Sequence, residues 1–278
     1  MIPLPLQEIH LWLTYPDEVP TLLEKQYRSL LSPAERDEEQ RYRFQADRRR
    51  FLITRALART VLSRYAPIAP QEWSFVKDPF GRPQVTNTTP AGWLPVFNIS
   101  HTRELIVLGI SRNRALGVDV ENVHNRRVPP GLAERVFPAQ EASVLTATNK
   151  ARRQAEFFEY WTLKESYIKA RGMGLSLPLD QLTFCLREAQ SIEVRFAPVL
   201  RDDPQRWYFW QFRPKRHYLI ATCAANTTPE RPAMRGRVTV PLGPERPLDV
   251  RFARLSRVGA AAGKPDGPTA DAASSSID

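Results

Sequence analysis

Residues 6 to 14, LQEIHLWLT, alternate apolar and polar side chains with the two-residue period of a half-buried strand. The spacing then lengthens. LLSPAERDEEQRYRF reads as a helix capped at Ser32, with Pro33 at its first position and acidic residues in its first turns. In ADRRRFLITRALARTVLSRYA, Phe51, Leu52, Ala56, Arg59 and Leu62 recur at helical spacings until Pro67 stops the pattern, and the other side is strongly basic. WSFVKDPFGRPQV reads as strand, turn and strand, with the turn at residues 79 to 83, and VFNISHTRELIVLGISRNRALGVDVENV as short strands joined by polar turns. PAQEASVL and RRQAEFFEYWTLKESYIKARG return to helical spacing, the second ending at Gly172. LDQLTFCL, SIEVRF, WYFWQF and HYLIATCAA alternate as strands. Helices packed on sheets without regular strand-helix-strand alternation predict an α+β fold. From about residue 229 the chain turns to Pro, Arg, Ala, Gly and Ser, a composition that predicts a disordered tail over residues 229–278.

At 278 residues with 42% hydrophobic side chains, the chain can bury a full core as one large or two modest domains. It carries 40 Lys plus Arg against 30 Asp plus Glu, a net charge of +10, which favours anionic partners. Cys185 and Cys223 each lie among apolar neighbours, the setting of two buried free thiols in a reducing compartment. MIPLPLQEIHLWL has no basic leader and breaks its apolar run at Gln7 and Glu8, and nowhere do eighteen apolar residues follow one another. The expectation is a soluble cytoplasmic protein. No repeat of fixed period is visible.

In the stretch LGVDVEN, period-two geometry puts Val118 and Val120 on one face and Gly117, Asp119 and Glu121 on the other. Two like charges that close destabilise one another unless a cation lies between them, and hard oxygen ligands suit Mg²⁺. A solvated edge strand with two ordinary acids is the plain alternative. On the helical wheel, at about 100° per residue, Glu165 falls between Phe158 and Trp161, inside the apolar arc, where an unpaired carboxylate is costly. Lys169, four residues on, offers it a local ion pair; a metal shared with Asp119 and Glu121 would account for all three acids together. Lys164 reads as a snorkelling or locally paired lysine. Ser100 and His101 face apart on a strand and make a poor nucleophilic dyad; His101 and the backbone near Ser100 suit phosphate. Arg48, Arg49 and Arg50 form a basic helix face. Arg82 follows a glycine in a turn from which its guanidinium can fork onto phosphate.

These residues resemble one family. GVDVEN followed by WTLKESYIKA, with FNISHT upstream and GLSLPLD downstream, is similar to the ordered signature of the 4′-phosphopantetheinyl transferases, of the larger, monomeric type serving polyketide, peptide and fatty-acid synthases. The resemblance runs from about residue 8 to residue 226. It implies two similar α+β halves related by a pseudo-twofold, 1–116 and 117–228, with the active site in the cleft between them and the tail of 229–278 outside. It also implies the reaction: coenzyme A gives its 4′-phosphopantetheine arm to a serine of an apo acyl or peptidyl carrier protein, and 3′,5′-ADP leaves. By matching position, Asp119, Glu121 and Glu165 would hold Mg²⁺, Glu165 would also take the serine proton, and Lys169 would lie against the pyrophosphate. Ser100, His101, Arg50 and Arg82 would bind the 3′-phosphate and the remaining phosphates. The first helix departs from the pattern: where relatives offer lysines it has Glu35 and Glu38, with Arg36 and Arg41 the nearest cations, so phosphate binding passes to Arg49 or Arg50 or the helix is less involved.

A basic surface would steer an acidic carrier; Arg126, Arg127 and Arg135 are the candidates. A Mg²⁺-dependent nuclease would need a lysine where Val123 stands, and a nucleic-acid binder built on the arginine-rich helix would not need the acids. The expectation is therefore a transferase with no nucleic-acid or membrane partner.

Overall fold

The computed structural model describes residues 1–89, 92–125, 127–186, 190–228 and 230–256. Along the chain come β1 (Glu8–Thr14), α1 (Glu24–Leu30), α2 (Pro33–Arg41), α3 (Gln45–Leu62), β2 (Phe75–Lys77), β3 (Pro83–Val85), β4 (Pro95–His101) and β5 (Ile106–Arg112). Next are β6 (Leu116–Asn122), α4 (Leu132–Val136), α5 (Ala139–Ala147), α6 (Lys150–Arg171), β7 (Leu182–Cys185), β8 (Ser191–Phe196), β9 (Trp207–Phe212) and β10 (Tyr218–Ala225). Last come β11 (Ala233–Thr239), β12 (Glu245–Leu248) and β13 (Phe252–Ser256).

The helix boundaries follow the capping chemistry. Ser32 Oγ accepts the Glu35 N–H while the Glu35 carboxylate accepts the Ser32 N–H, a reciprocal cap with Pro33 at the first turn. α6 stops at Gly172, whose φ of 64° lets its N–H turn back onto the Ile168 and Lys169 carbonyls.

The same topology occurs twice. β1 is followed by the long α3 and the hairpin β4–β5, and β5 pairs antiparallel with β1. β6 is followed by the long α6 and the hairpin β9–β10, and β10 pairs antiparallel with β6. The protein is thus α+β with a duplicated strand-helix-hairpin unit. The two sheets, ordered β12-β11-β1-β5-β4 and β6-β10-β9-β13-β8-β7, face one another. Ile9, Leu11 and Leu13 meet Val118, Val120, Trp210 and Ile220 between them. The outer faces carry the helices: Trp12 and Leu108 pack with Leu52, Ala56 and Leu57 on one side, and Phe209 and Leu219 with Phe158, Leu163 and Tyr167 on the other. This is period-two and period-3.6 patterning turned into layers.

Two expectations are corrected. The region from 229 is not a disordered tail over its described length: β11 lies parallel to β1, β12 closes that sheet, and β13 inserts beside β9 and β8 in the other. Thr14 Oγ1 donates to the Thr239 carbonyl and Tyr27 Oη to that of Pro241, so long-range pairing orders a segment that composition alone would leave unstructured. Residues 257–278 lie outside the described residues. Both cysteines are free, but only Cys223 is buried; Cys185 is half-buried.

Lys164 is locally paired, and fully buried rather than snorkelling. Its Nζ lies 2.9 Å from Glu141 Oε2 and donates to the Leu179 carbonyl at 3.0 Å and to that of Leu182, while Glu141 Oε1 accepts the Phe184 N–H at 2.6 Å. Burial pushes the lysine down to about 8 and the carboxyl up, and each holds the other charged. Glu141→Ala alone is expected to cost about 3–5 kcal/mol in a denaturant titration, because it strands the buried ammonium. Glu141→Leu combined with Lys164→Met is expected to recover most of that loss; equal losses in both variants would contradict the pairing.

Among the described residues no helix is long and apolar enough to cross a membrane.

Candidate active site

β4 and β6 are the edge strands at which the two sheets meet. Exposed edges need partners for their backbone groups, and here side chains supply them. The Val118 N–H donates to Asn98 Oδ1 at 2.8 Å and the Val120 N–H to Ser100 Oγ at 3.3 Å. Asn98 and Ser100 are two residues apart in β4, so one strand face carries both. Asn98 went unremarked in the sequence, and its period-two relation to Ser100 was the available signal.

Val118 and Val120 point into the inter-sheet core, which leaves Gly117, Asp119 and Glu121 beneath α6. Both acids are buried, at 5% and 7% exposure. Lys169 Nζ donates to Asp119 Oδ1 at 2.6 Å and to Ser100 Oγ at 2.9 Å, and Ser100 Oγ donates to the same Asp119 oxygen at 3.0 Å. The lysine therefore ion-pairs across to β6. On α6, Trp161, Glu165 and Lys169 are half-buried while residues 162–164 and 166–168 are buried. Four-residue spacing puts these three on one stripe, and that stripe opens on a cavity of about 970 Å³ lined also by Ser100, His101, Asp119 and Glu121. Trp161 is a second wall residue that the sequence motif contained without assigning.

The donor set fits a hard divalent cation. Asp119 Oδ2 is buried and accepts no hydrogen bond, and it shares the cavity with the carboxylates of Glu121 and Glu165. Among the described residues no three His, Cys, Asp or Glu side chains stand in a ready metal-holding cluster. Lys169 provides the cationic partner to Asp119 instead.

The other sequence candidates divide. His101 and Arg50 line a smaller cavity of about 210 Å³ that borders the first through Ile99 and His101. The walls around His101 desolvate it, and the charges of Arg50 and Lys169 add to the effect, so its imidazole titrates below the ordinary histidine value. Arg50 holds Asp47 at 2.6 Å. Arg82 is not the free phosphate fork expected of it. Its Nη1 donates to the Lys169 carbonyl at 2.7 Å and its Nη2 to the Phe97 and Leu116 carbonyls at 3.2 Å, stapling the end of α6 to β4 and β6. Arg49 is spent on Glu24 and the Pro16 and Val19 carbonyls, and Arg36 on the Leu31 carbonyl. Arg41, Arg127 and Arg135 are exposed, and Arg126 lies outside the described residues.

Comparison with known proteins bears on these same segments. Residues 115–223 match the family model of the 4′-phosphopantetheinyl transferase superfamily, and residues 21–113 that of the 4′-phosphopantetheinyl transferase N-terminal region. The chain is 29% identical over 192 residues to the 4′-phosphopantetheinyl transferase HetI of Nostoc sp., covering 69% of this chain and 80% of that one. It is 28% identical over 202 residues to the 4′-phosphopantetheinyl transferase Sfp of Bacillus subtilis, covering 73% and 85%. With the 4′-phosphopantetheinyl transferase gsp of Aneurinibacillus migulanus it shares 30% identity over 195 residues, covering 68% and 78%.

Proposed function

This chain belongs to the 4′-phosphopantetheinyl transferase superfamily, and from that premise we propose that it transfers the 4′-phosphopantetheine arm of coenzyme A to a serine hydroxyl of an apo acyl or peptidyl carrier protein, with Mg²⁺ as cofactor and 3′,5′-ADP as the second product. The observation that carries this reading is the single cavity in which β4 contributes Ser100 and His101, β6 contributes Asp119 and Glu121, and α6 contributes Glu165 and Lys169. Anion-binding and cation-holding groups face the same space, which a pyrophosphate with a divalent counterion requires.

In the reaction the carrier serine oxygen bonds to the phosphorus that bears the pantetheine arm, and the bond from that phosphorus to the bridging oxygen breaks. Asp119, Glu121 and Glu165 would hold Mg²⁺, which when bound neutralises pyrophosphate charge. Glu165, half-buried on the wall, accepts the serine proton. Lys169, held in place by Asp119 and Ser100, sets its ammonium charge where the leaving pyrophosphate oxygen becomes negative. Ser100, His101 and Arg50 gather phosphates. Arg82, through its bond to the Lys169 carbonyl, fixes the helix end from which that lysine projects. The protein works as a monomer in the cytoplasm, and its exposed Arg127 and Arg135 face the carrier.

Intact-mass measurement tests the reaction. With coenzyme A, Mg²⁺ and a panel of apo carrier domains, at least one carrier should gain the mass of phosphopantetheine. No gain on any carrier would refute the proposal.

A further inference from the structure

A separate cavity, of about 560 Å³, opens between α5, the first half of α6 and the edge strand β7. It shares no residue with the cavities of the proposed transfer site. Glu156, Glu159 and Tyr160 line it from α6, on the opposite side of the helix from Trp161, Glu165 and Lys169. Arg254, on β13, forms part of the wall, and β13 lies beyond the segment matched by the superfamily model. The volume falls within the roughly 300–1,000 Å³ of small-molecule sites.

Two polar groups there lack protein partners. Tyr160 is 6% exposed, and among the described residues its hydroxyl makes no hydrogen bond. The side chains whose charges act on that hydroxyl, Glu141, Cys185, Glu156 and Arg254, all line this cavity, so it opens into the same space. Burial first, and then Glu141, Cys185 and Glu156, push it up to about 12, so it stands there as a hydrogen-bond donor. Arg195, exposed at the mouth, forms no ion pair among the described residues. Every carboxylate of the wall is already matched. Glu141 is held by Lys164 at 2.9 Å, Glu156 accepts from Thr148 at 2.6 Å and faces Arg152 at 3.5 Å, and Glu159 lies between Arg213 at 3.4 Å and Arg254 at 3.2 Å. The surplus charge is positive, and Val144, Phe184 and Leu186 give the cavity an apolar side.

We propose that this cavity is a second ligand site, for a small carboxylic acid with an apolar body and a polar group at its far end. Arg195 supplies the counter-charge, Val144, Phe184 and Leu186 the apolar contact, and the Tyr160 hydroxyl a donor to the far end. Cys185 on the wall is a built-in reporter: it is free and half-buried, whereas Cys223 is fully buried.

Calorimetric titration of the full chain with 4-hydroxybenzoate, benzoate and 4-hydroxybenzamide tests it. 4-Hydroxybenzoate should bind saturably and more tightly than either of the others, and should slow the alkylation of Cys185 by iodoacetamide, followed by intact mass. Arg195→Ala should weaken both carboxylates about three- to tenfold. Tyr160→Phe should weaken 4-hydroxybenzoate about five- to tenfold and leave benzoate within about twofold of wild type, which also shows that the variant is folded. No saturable heat from 4-hydroxybenzoate, equal binding of the carboxylate and the carboxamide, or heats that neither substitution changes would overturn the site. None of these measurements uses coenzyme A or a carrier, so this inference and the proposed transfer stand or fall separately.

Discussion

Glu165→Gln is expected to lower the rate of carrier modification by about 10²–10⁴-fold, the range for losing a general base. Glutamine keeps the volume and the hydrogen-bonding shape of the wall but can neither take the serine proton nor offer an anionic oxygen. The effect should fall on kcat, with the KM for coenzyme A changing much less, because Ser100, His101 and Arg50 are untouched. Asp119→Asn should be comparably damaging for a different reason: Asp119 Oδ1 holds Lys169 and Ser100 together, and Oδ2 is the buried oxygen that no protein group satisfies. Single-turnover transfer, followed on variants whose thermal transitions match wild type, measures both. Rates within about threefold of wild type for either variant would remove that residue from the catalytic wall.

Gly117→Ala is expected to be the most damaging substitution for the fold. An added Cβ would stand 2.0 Å from the Ser166 carbonyl oxygen and 2.4 Å from the Ala170 nitrogen, both backbone atoms of α6. Overpacking commonly costs about 1–3 kcal/mol where side chains can shift; here a whole helix must retreat, so the loss should exceed about 3 kcal/mol in a denaturant titration or abolish soluble expression. Any folded remainder should be inactive, since moving α6 carries Glu165 and Lys169 away from Asp119. Gly109→Ala is the comparison: its Cβ would meet side-chain carbons of Val118 at 2.7 Å and Leu116 at 3.1 Å, which can adjust, so its cost should be smaller. A Gly117→Ala protein as stable and active as wild type would show that β6 and α6 are not in the contact described.

Much of this site is legible in the chain because it rests on two local periods. Alternation in LGVDVEN assigns Asp119 and Glu121 to one face, and four-residue spacing aligns Trp161, Glu165 and Lys169. What joins the two stretches is not local. That Lys169 reaches Asp119, and that Asn98 and Ser100 close the edge of β6, depends on how two sheets meet, and no window of sequence contains both partners. Arg82 shows the same limit. Its type and its turn suit phosphate, and only the folded chain reveals that three carbonyls already occupy its fork. The strands after residue 229 were hidden by composition. AMRGRVT, ERPL and FARLS are short and half-exposed, and their order comes from pairing with strands far away in the chain, above all β11 with β1.

The central claim is that the cavity between β4, β6 and α6 holds the pyrophosphate of the donor on a divalent cation. A crystal structure of the full chain with coenzyme A and Mn²⁺, with the anomalous signal of the metal recorded, tests it most directly. The expected result is a metal peak ligated by Asp119, Glu121 and Glu165 and bridged to the pyrophosphate, with Lys169 turned toward the same oxygens. A metal peak away from these carboxylates, or coenzyme A phosphates bound outside this cavity, would contradict the account.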